Sequence, residues 1–165
     1  MNFDVGFIGF AGAGKDTAAL ALIQRGWRRK AFADRLKDLA IHFGWNGEKD
    51  EKGRRLLQDL GMAARAYDSE FWIRHAENSI THTPVEMSKI PYVWTDIRFE
   101  NEAEFVRNRG GIIIRIVKQW ENKQDYHESE WNQIDIVADH MVVNNGTIEE
   151  LHQKINNIID NHDKT

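Results

Sequence analysis

The chain has 165 residues and a formal net charge of −4, which allows one domain with a sizeable core and excludes bulk attraction to nucleic acid. It contains no cysteine, which excludes disulfides and thiol catalysis. Because the sequence shows no basic leader and no apolar run of membrane-spanning length, we expect a cytosolic protein that binds neither nucleic acid nor membrane.

Strands and helices alternate along the predicted order of elements. The apolar run Phe3–Phe10 predicts a buried central strand, and a helix follows from about Lys15 to Gln24. Further strands are predicted over residues 28–33, 90–95, 112–117 and 141–143. Helical spacing predicts helices that begin at Asp34 as N-cap and near residues 54, 70, 100 and 147, with an exposed loop over 44–53. This alternation predicts a doubly wound, parallel α/β sheet with ligands at the carboxyl ends of its strands.

The segment between the first strand and helix has the spacing of a phosphate-binding loop, Gly9-x4-Gly14-Lys15. Glycines let backbone N–H groups surround an oxyanion, and the next helix presents its positive dipole end. Lys15 is placed to reach the β- and γ-phosphates of a nucleotide. A glycine-rich turn that binds nothing is the alternative. We expect ATP contacts from Gly12, Ala13, Gly14, Lys15, Asp16 and Thr17.

Three residues are candidate magnesium ligands, namely Asp16, Thr17 and Asp96. The position after the lysine normally carries the serine or threonine that binds the metal, and here it is Asp16. Next to a polyphosphate this carboxylate is favourable only with a cation between them, or as an anion at the helix N-terminus. Asp96 ends an apolar strand, where it could hold magnesium, accept a proton, cap the next helix or form a salt bridge.

Several arginines could bind phosphate groups. Arg98 offers a bidentate fork, or it pairs with Asp96 or Glu102. Arg54, Gln58 and Arg65 lie on overlapping faces of one predicted helix, as the second phosphate of a monophosphate acceptor would require. A solvated helix face is the alternative, and it is the preferred interpretation for Arg55.

Two polar segments follow the fourth strand. Residues 119–132 lack periodicity and could cover the ATP phosphates, with Lys118, Lys123 and the preceding Arg115 as cations; His127 could equally be an exposed loop histidine. The segment Asn144-Asn-Gly-Thr147 predicts a left-handed turn and an N-cap for the last helix, and its position suits contact with adenine.

Taken in order, these motifs resemble the phage-type deoxynucleoside monophosphate kinases, which are P-loop enzymes of the nucleoside monophosphate kinase-like group. The matching segments are Gly14-Lys-Asp-Thr17, Phe32-Ala-x-x-Leu-Lys37, Leu57-Gln-x-x-Gly61 with Arg65, Asp96-x-Arg-Phe-x-Asn-Glu102, His127-x-Ser-Glu130 and Asn144-x-Gly-Thr147. Two features depart from the family pattern: Met62 stands where a threonine is expected, and residues 118–132 are poor in arginine.

The resemblance implies phosphorylation of deoxynucleoside 5′-monophosphates by ATP with Mg²⁺ as cofactor. It implies one P-loop kinase domain over residues 1–165, with a helical NMP-binding insertion at about 34–82 and a short lid at about 118–132. The implied catalytic residues are Lys15, Asp16, Asp96 and Arg98. The implied substrate-binding residues are Phe32, Lys37, Gln58, Arg65, Trp72, Arg98 and Glu130, and the further ATP contacts are Asn144, Gly146 and Thr147.

The partners implied are ATP and the deoxynucleotide, with a monomer or homodimer as the assembly and the host cytoplasm as the location if the gene is phage-borne. Two other functions stay open: a P-loop kinase of another small phosphorylated metabolite, such as phosphomevalonate or dephospho-coenzyme A, and a nucleotide-binding regulatory module without transfer activity. Acceptor screening separates the first. A partner-binding extension or a defective loop lysine would indicate the second, and the sequence shows neither.

Overall fold

A computed structural model of the chain describes residues 3–82, 90–118 and 131–163. In chain order its elements are β1 (Val5–Ile8), α1 (Lys15–Ile23), β2 (Arg28–Lys30), α2 (Ala33–His42), α3 (Glu51–Tyr67), α4 (Phe71–Thr81), β3 (Tyr92–Trp94), α5 (Glu100–Asn108), β4 (Ile112–Val117), β5 (His140–Val143) and α6 (Ile148–His162). Every predicted strand and helix that falls in the described ranges is present.

The five strands form one parallel sheet in the order β2-β3-β1-β4-β5. All four residues of β1 are buried, because β1 lies between β3 and β4 at the centre of the sheet. The register pairs Gly6 with Trp94 on one side and Ile8 with Arg115 on the other. This order confirms the predicted α/β fold, and it places the segment after β1 at the carboxyl edge between two neighbouring strands.

Helices cover both faces of the sheet. On one face, a continuous apolar cluster joins Val5 and Phe7 of β1 to residues of α1 and α6, including Leu22 and Ile155. On the other face, Gly6 leaves room for its neighbours, since a Cβ there would lie 2.3 Å from the Cδ1 of Ile97 and 3.5 Å from the Cγ1 of Val106 in α5. Because helices cover both faces, ligands are expected at the carboxyl edge of the sheet.

By their internal contacts, the residues divide into two compact units. The first contains the sheet with α1, α5 and α6, and the second comprises α2, α3 and α4, which pack on one another. In the second unit the indole N–H of Trp72 in α4 donates to the carbonyl oxygen of Gly61 in α3 at 3.1 Å. The buried side chains of this helical unit include Leu36, Ala40, Trp72, Ile73, Ala76 and Ile80.

Two predicted helix starts are wrong. Asp34 is not the N-cap of α2, which begins at Ala33; its carboxylate accepts instead from the N–H of Ala31 at 2.9 Å. The helix expected from residue 54 begins at Glu51, because Asp50 caps it by accepting from the N–H of Gly53 at 2.7 Å. The loop predicted over residues 44–53 therefore ends at Asp50. The glycines of this segment are the reason that a loop was predicted as far as residue 53.

Two further local predictions needed correction. The second strand ends at Lys30 rather than residue 33, since the chain turns there into α2. None of residues 144–147 has a positive φ, so the predicted left-handed turn is wrong. Thr147 is nevertheless the N-cap of α6, as predicted, with its hydroxyl accepting from the N–H of Glu150 at 3.2 Å.

Within the described ranges, every helix is too short or too polar to span a bilayer.

Candidate functional site

The predicted phosphate-binding loop joins the end of β1 to α1. Gly14 is the N-cap of α1 with φ 101°, a left-handed angle that favours glycine. A Cβ at Gly14 would also lie 2.4 Å from the Nδ2 of Asn144, and one at Gly9 would lie 2.4 Å from the carbonyl oxygen of Ile116. At Gly12 nothing lies within 4 Å of such a Cβ, so this glycine serves the backbone angle rather than close packing.

Lys15 begins α1 and is half-buried. Its ammonium donates to the carbonyl oxygen of Gly9 at 2.5 Å and to that of Phe10 at 3.0 Å. The charge thus lies within the loop, beside the helix N-terminus, where unpaired N–H groups and the dipole favour an anion. The arrangement places one cation and one helix terminus around the same small space, as phosphate binding requires.

A cavity of about 600 Å³ adjoins the loop. Its volume lies in the range of small-molecule sites. It brings together five of the predicted ATP contacts and Lys118, which the sequence predicted as a lid cation and which is exposed. The lining consists of Gly12, Gly14, Thr17, Lys118, Asn144, Asn145, Gly146, Ile148 and Leu151.

Two predicted ATP contacts at the end of β5 have protein partners. The side-chain amide of Asn144 donates to the carbonyl oxygen of Ala13 at 2.8 Å, so it holds the end of the phosphate loop. Thr147 forms a reciprocal cap, since the carboxylate of Glu150 accepts from its N–H at 3.0 Å. Both residues therefore shape the site, and their direct contact with ATP stays a prediction.

The segment Asp96 to Arg98 follows β3, the strand next to β1. The buried carboxylate of Glu102 accepts from the N–H of Arg98 at 2.8 Å and from that of Phe99 at 3.2 Å. Phe99 is the N-cap of α5, so the alternative in which Asp96 caps this helix is wrong. Asp96 and Arg98 are half-buried at the carboxyl edge, and the bond to Glu102 holds the backbone of Arg98 there.

The predicted acceptor residues of the helical unit differ in exposure. Arg54 and Arg55 are exposed, and Arg55 lies 3.8 Å from Asp59, which agrees with its interpretation as a solvated residue. Arg65 is half-buried, and its Nη1 donates to the carbonyl oxygen of Ser69 at 3.3 Å. Gln58 is half-buried as well.

The remaining acceptor candidates lie deeper or pair locally. Phe32 is 4% and Trp72 5% exposed, which is typical of helix-packing residues. The ammonium of Lys37 lies 3.7 Å from Asp34. Contact of these three residues with substrate stays a prediction. Glu130, His127, Lys123 and most of the predicted lid lie outside the described residues.

Sequence reasoning missed two residues that contact this region and gave a third, Arg115, a different role. The side chain of Gln133 is 1% exposed, and its Oε1 accepts from the N–H of Gly9 at 2.6 Å. His152 in α6 contacts the carbonyl oxygen of Thr17 through Nε2 at 2.8 Å. Arg115, expected as a lid cation, donates instead to backbone carbonyls of residues 133, 134 and 136, and burial lowers the pKa of its guanidinium. Each of these contacts joins distant parts of the chain, which no local motif reveals.

The residues near the loop fit a magnesium ion that is bound mainly by a nucleotide. Within the part of the chain that the structure describes, no three histidine, cysteine or acidic side chains form a metal cluster. Magnesium rarely needs one, because it keeps several waters and takes one or two carboxylates plus substrate phosphates. Asp16 and Thr17 in the first turn of α1 and Asp96 after β3 supply carboxylate and hydroxyl oxygens of that kind.

Comparison with known proteins identifies the family. The profile of a family described as deoxynucleotide monophosphate kinase matches residues 44–155. The chain is also 32% identical to a protein of Acanthamoeba polyphaga mimivirus, provisionally named deoxynucleotide monophosphate kinase, and the match covers 95% of the chain and 96% of that relative. The chain belongs to the deoxynucleotide monophosphate kinase family. It is accordingly a kinase, and the resemblance inferred from its motifs is confirmed.

Other relatives agree with this family and fold. The deoxynucleotide monophosphate kinase of Escherichia phage RB69 is 30% identical over 64% of the chain and 44% of its own length, so a second relative of this kinase is viral. The solved structure of dephospho-CoA kinase from Campylobacter jejuni matches with a TM-score of 0.55 and 14% identity, and the match covers 98% of this chain and 97% of that one. At that identity the likeness shows the P-loop kinase fold alone.

Proposed function

We propose that this kinase transfers the γ-phosphate of ATP to the 5′-phosphate of a deoxynucleoside monophosphate, giving ADP and the deoxynucleoside diphosphate. The likeness to the mimivirus relative carries the proposal, because it covers 95% of the chain, and the family profile adds residues 44–155. The local geometry supports it, since a phosphate loop with Lys15 adjoins a cavity large enough for part of a nucleotide.

On the donor side, the loop residues 9–14 and the N-terminus of α1 bind the phosphates of ATP, with Lys15, Asp16 and Thr17 in the first turn. Lys15 exchanges its bonds to the carbonyls of Gly9 and Phe10 for bonds to the β- and γ-phosphate oxygens. The cavity beside Asn144 and Gly146 accepts the nucleoside. A preorganised cation of this kind stabilises charge as it shifts toward the β–γ bridging oxygen.

In the transfer step an oxygen of the acceptor phosphate attacks the γ-phosphorus in line. The new oxygen–phosphorus bond forms as the bond to the β–γ bridging oxygen breaks, and ADP leaves with that electron pair. The acceptor phosphate is already a nucleophile, so Asp96 is not needed as a strong base. Arg98 and Arg65 bind the acceptor phosphate in this proposal. Phe32, Lys37, Gln58, Trp72 and Glu130 are the further proposed substrate contacts.

Magnesium, when bound, neutralises charge on the β- and γ-phosphates. Asp16 and Thr17 would hold it, with Asp96 as the other carboxylate available at the carboxyl edge. We extend the proposal to the domain roles: the helices within residues 34–82 form the acceptor-binding insertion, which the compact helical unit supports, and residues 118–132 form the lid. The proposed location is the cytoplasm, which is that of the host if the gene is phage-borne.

An acceptor screen tests the proposal. ADP release from ATP–magnesium is measured in a coupled assay with each nucleoside and deoxynucleoside monophosphate, and with phosphomevalonate and dephospho-coenzyme A. At least one deoxynucleotide should give the highest rate in the panel. Turnover of another phosphorylated metabolite with no deoxynucleotide turned over would overturn the assignment, and no turnover with any acceptor would favour a regulatory module.

A further inference from the structure

Gln133 is a buried amide whose hydrogen bond reaches the first glycine of the phosphate loop. Its side chain is 1% exposed, and its Oε1 accepts from the N–H of Gly9, 124 residues away in sequence, at 2.6 Å. A buried amide needs hydrogen-bond partners, and groups close to it in sequence could supply them as well as distant ones. That the partner is Gly9 connects this residue to the proposed ATP site.

The segment that carries Gln133 is itself fixed from two sides. Arg115 of β4 donates to the carbonyl oxygens of Gln133 at 3.1 Å, Ile134 at 3.2 Å and Ile136 at 2.6 Å. The ring of Trp131 packs edge-on against Phe10 of the phosphate loop, with centroids 5.5 Å apart. Gln133 therefore has a rigid support from which to hold Gly9, rather than a loose loop.

Gly9 has a backbone conformation that only glycine adopts readily. Its φ of 147° is accessible to glycine and rarely to other residues, and the close approach of Ile116 leaves no room for a Cβ. A glycine can rotate to other conformations at little cost, so an external bond is needed to hold one of them. The carbonyl oxygen of Gly9 accepts from Lys15, which couples the orientation of Gly9 to the position of that ammonium.

We propose that Gln133 is a positioning residue of the kinase, which fixes the backbone of Gly9 and thereby the place of the Lys15 ammonium before ATP binds. The inference rests on the proposed function, in which this loop binds the ATP phosphates. Preorganised donors lower the barrier because they need not reorganise during the reaction. Loss of the Gln133 bond should therefore lower kcat more than it raises KM for ATP.

The test uses Gln133→Met, which keeps length and volume but lacks the acceptor oxygen of the amide. We expect Gln133→Met to lower kcat by about tenfold, the scale of one lost hydrogen bond, with KM for ATP changed less. Asn156→Leu is the matched control, since it removes another long-range amide acceptor, bonded to Arg25 at 3.1 Å, away from the loop. It should keep wild-type kinetics.

A second readout does not depend on activity. The amide hydrogen exchange of Gly9, followed by NMR, should be faster by about tenfold in Gln133→Met and unchanged in Asn156→Leu. If wild-type protein phosphorylates no deoxynucleotide, the proposed function fails, while the exchange result still reports whether Gln133 holds Gly9. If wild-type protein is active, the inference is overturned by a wild-type kcat in Gln133→Met or by unchanged Gly9 exchange in that variant. Should Gln133→Met not fold, Gln133→Asn, whose shorter amide cannot span the bond, takes its place with the same expected results.

Discussion

The phosphate loop and helix α3 both carry charged residues proposed to act on phosphate, and they are held in different ways. Gln133 and Asn144 bond to the loop backbone at 2.6 and 2.8 Å, and Lys15 bonds back onto it. Of the 17 residues of α3, only Gly53 is buried, and its arginines lie at or near the surface. Side chains from distant parts of the chain thus hold the loop, whereas the arginines of α3 lie on the accessible side of their helix, and we infer that the donor group is the more preorganised of the two.

This contrast predicts different kinetic consequences for the two regions. A rigid group acts most strongly in the transition state, so its loss lowers kcat, whereas a group that adjusts to bind substrate mainly sets KM. The variants that follow test this division, from the largest expected effect to the smallest.

Replacing Lys15 by alanine should have the largest effect. Its ammonium is the charge that the loop geometry holds next to the phosphates. We expect Lys15→Ala to lower kcat by about two orders of magnitude or more, the scale of one preorganised charge donor. Steady-state kinetics with ATP and the best acceptor measure this loss. Lys52→Ala, which removes an exposed lysine of α3, is the control and should retain wild-type kinetics.

A near-normal kcat in Lys15→Ala, with only a raised KM for ATP, would contradict the transition-state role of this lysine. The donor region would then bind ATP without contributing to the chemical step, and the contrast with α3 would disappear.

Asp16→Asn tests whether the phosphate loop also supplies a carboxylate ligand to magnesium. Gly14 is the N-cap of α1, so Asp16 lies in the first turn, where it can serve magnesium or only the helix dipole. Asparagine keeps the shape but is a much poorer ligand of a hard cation. We expect a normally folded protein that loses most of its kcat, with part recovered at high magnesium concentration. Kinetics at varied magnesium and melting temperatures measure both effects.

Glu51→Gln is the matched control for this variant, because Glu51 is the acidic residue in the first turn of α3. Both variants lose one favourable dipole interaction of at most about 1 kcal/mol, so their stabilities should change alike. Unchanged kinetics and unchanged magnesium dependence in Asp16→Asn would leave Asp16 a dipole residue and return the metal to Asp96 and Thr17.

The acceptor region is tested by Arg98→Lys and Arg65→Lys. Lysine keeps the charge but loses the planar fork that binds two phosphate oxygens. We expect KM for the deoxynucleotide to rise by several-fold, about the worth of one bidentate contact, and KM for ATP to change less. Arg55→Lys, at the exposed pair with Asp59, serves as control. If KM for ATP rises more than KM for the acceptor, that arginine belongs to the donor site or the lid.

The smallest expected effect is on stability rather than catalysis. Asp50→Ala removes the cap of α3, in which the carboxylate accepts from the N–H of Gly53 at 2.7 Å. A lost N-cap costs about 1 kcal/mol, which lowers the melting temperature of a protein of this size by roughly 2–4 °C. Asp50→Asn, a comparable cap, should restore it. An equal loss in Asp50→Asn would show that the carboxylate stabilises α3 in another way.

The fold was predictable from the sequence because its signals are local. Buried runs such as Val5–Ile8 and Ile112–Val117 indicate central strands, and the glycine–lysine spacing between a strand and a helix identifies the loop. Helix starts were less certain, since the side chains of Asp34 and Asp50 both suit a cap, and only the surrounding backbone decides which of them caps its helix.

The supports of the site were not predictable, because they depend on pairs far apart in sequence. Gln133 follows a polar stretch without periodicity, and nothing in its neighbourhood marks it as buried. Gly14 follows the loop spacing, but its close approach to Asn144 becomes visible only when the sheet brings β5 toward the loop. Sequence patterns therefore identify the residues proposed to touch phosphate better than those that hold them in position.

The measurement that tests the central claim most directly is the fate of the γ-phosphate. Purified protein is incubated with ATP labelled at the γ-phosphate, magnesium and each deoxynucleoside monophosphate in turn, and the labelled products are separated. The account predicts label in the β-phosphate of at least one deoxynucleoside diphosphate, in an amount equal to the ADP formed, and no such transfer by Lys15→Ala on the same timescale. Label that appears only in inorganic phosphate, or only in another phosphorylated metabolite, would contradict it.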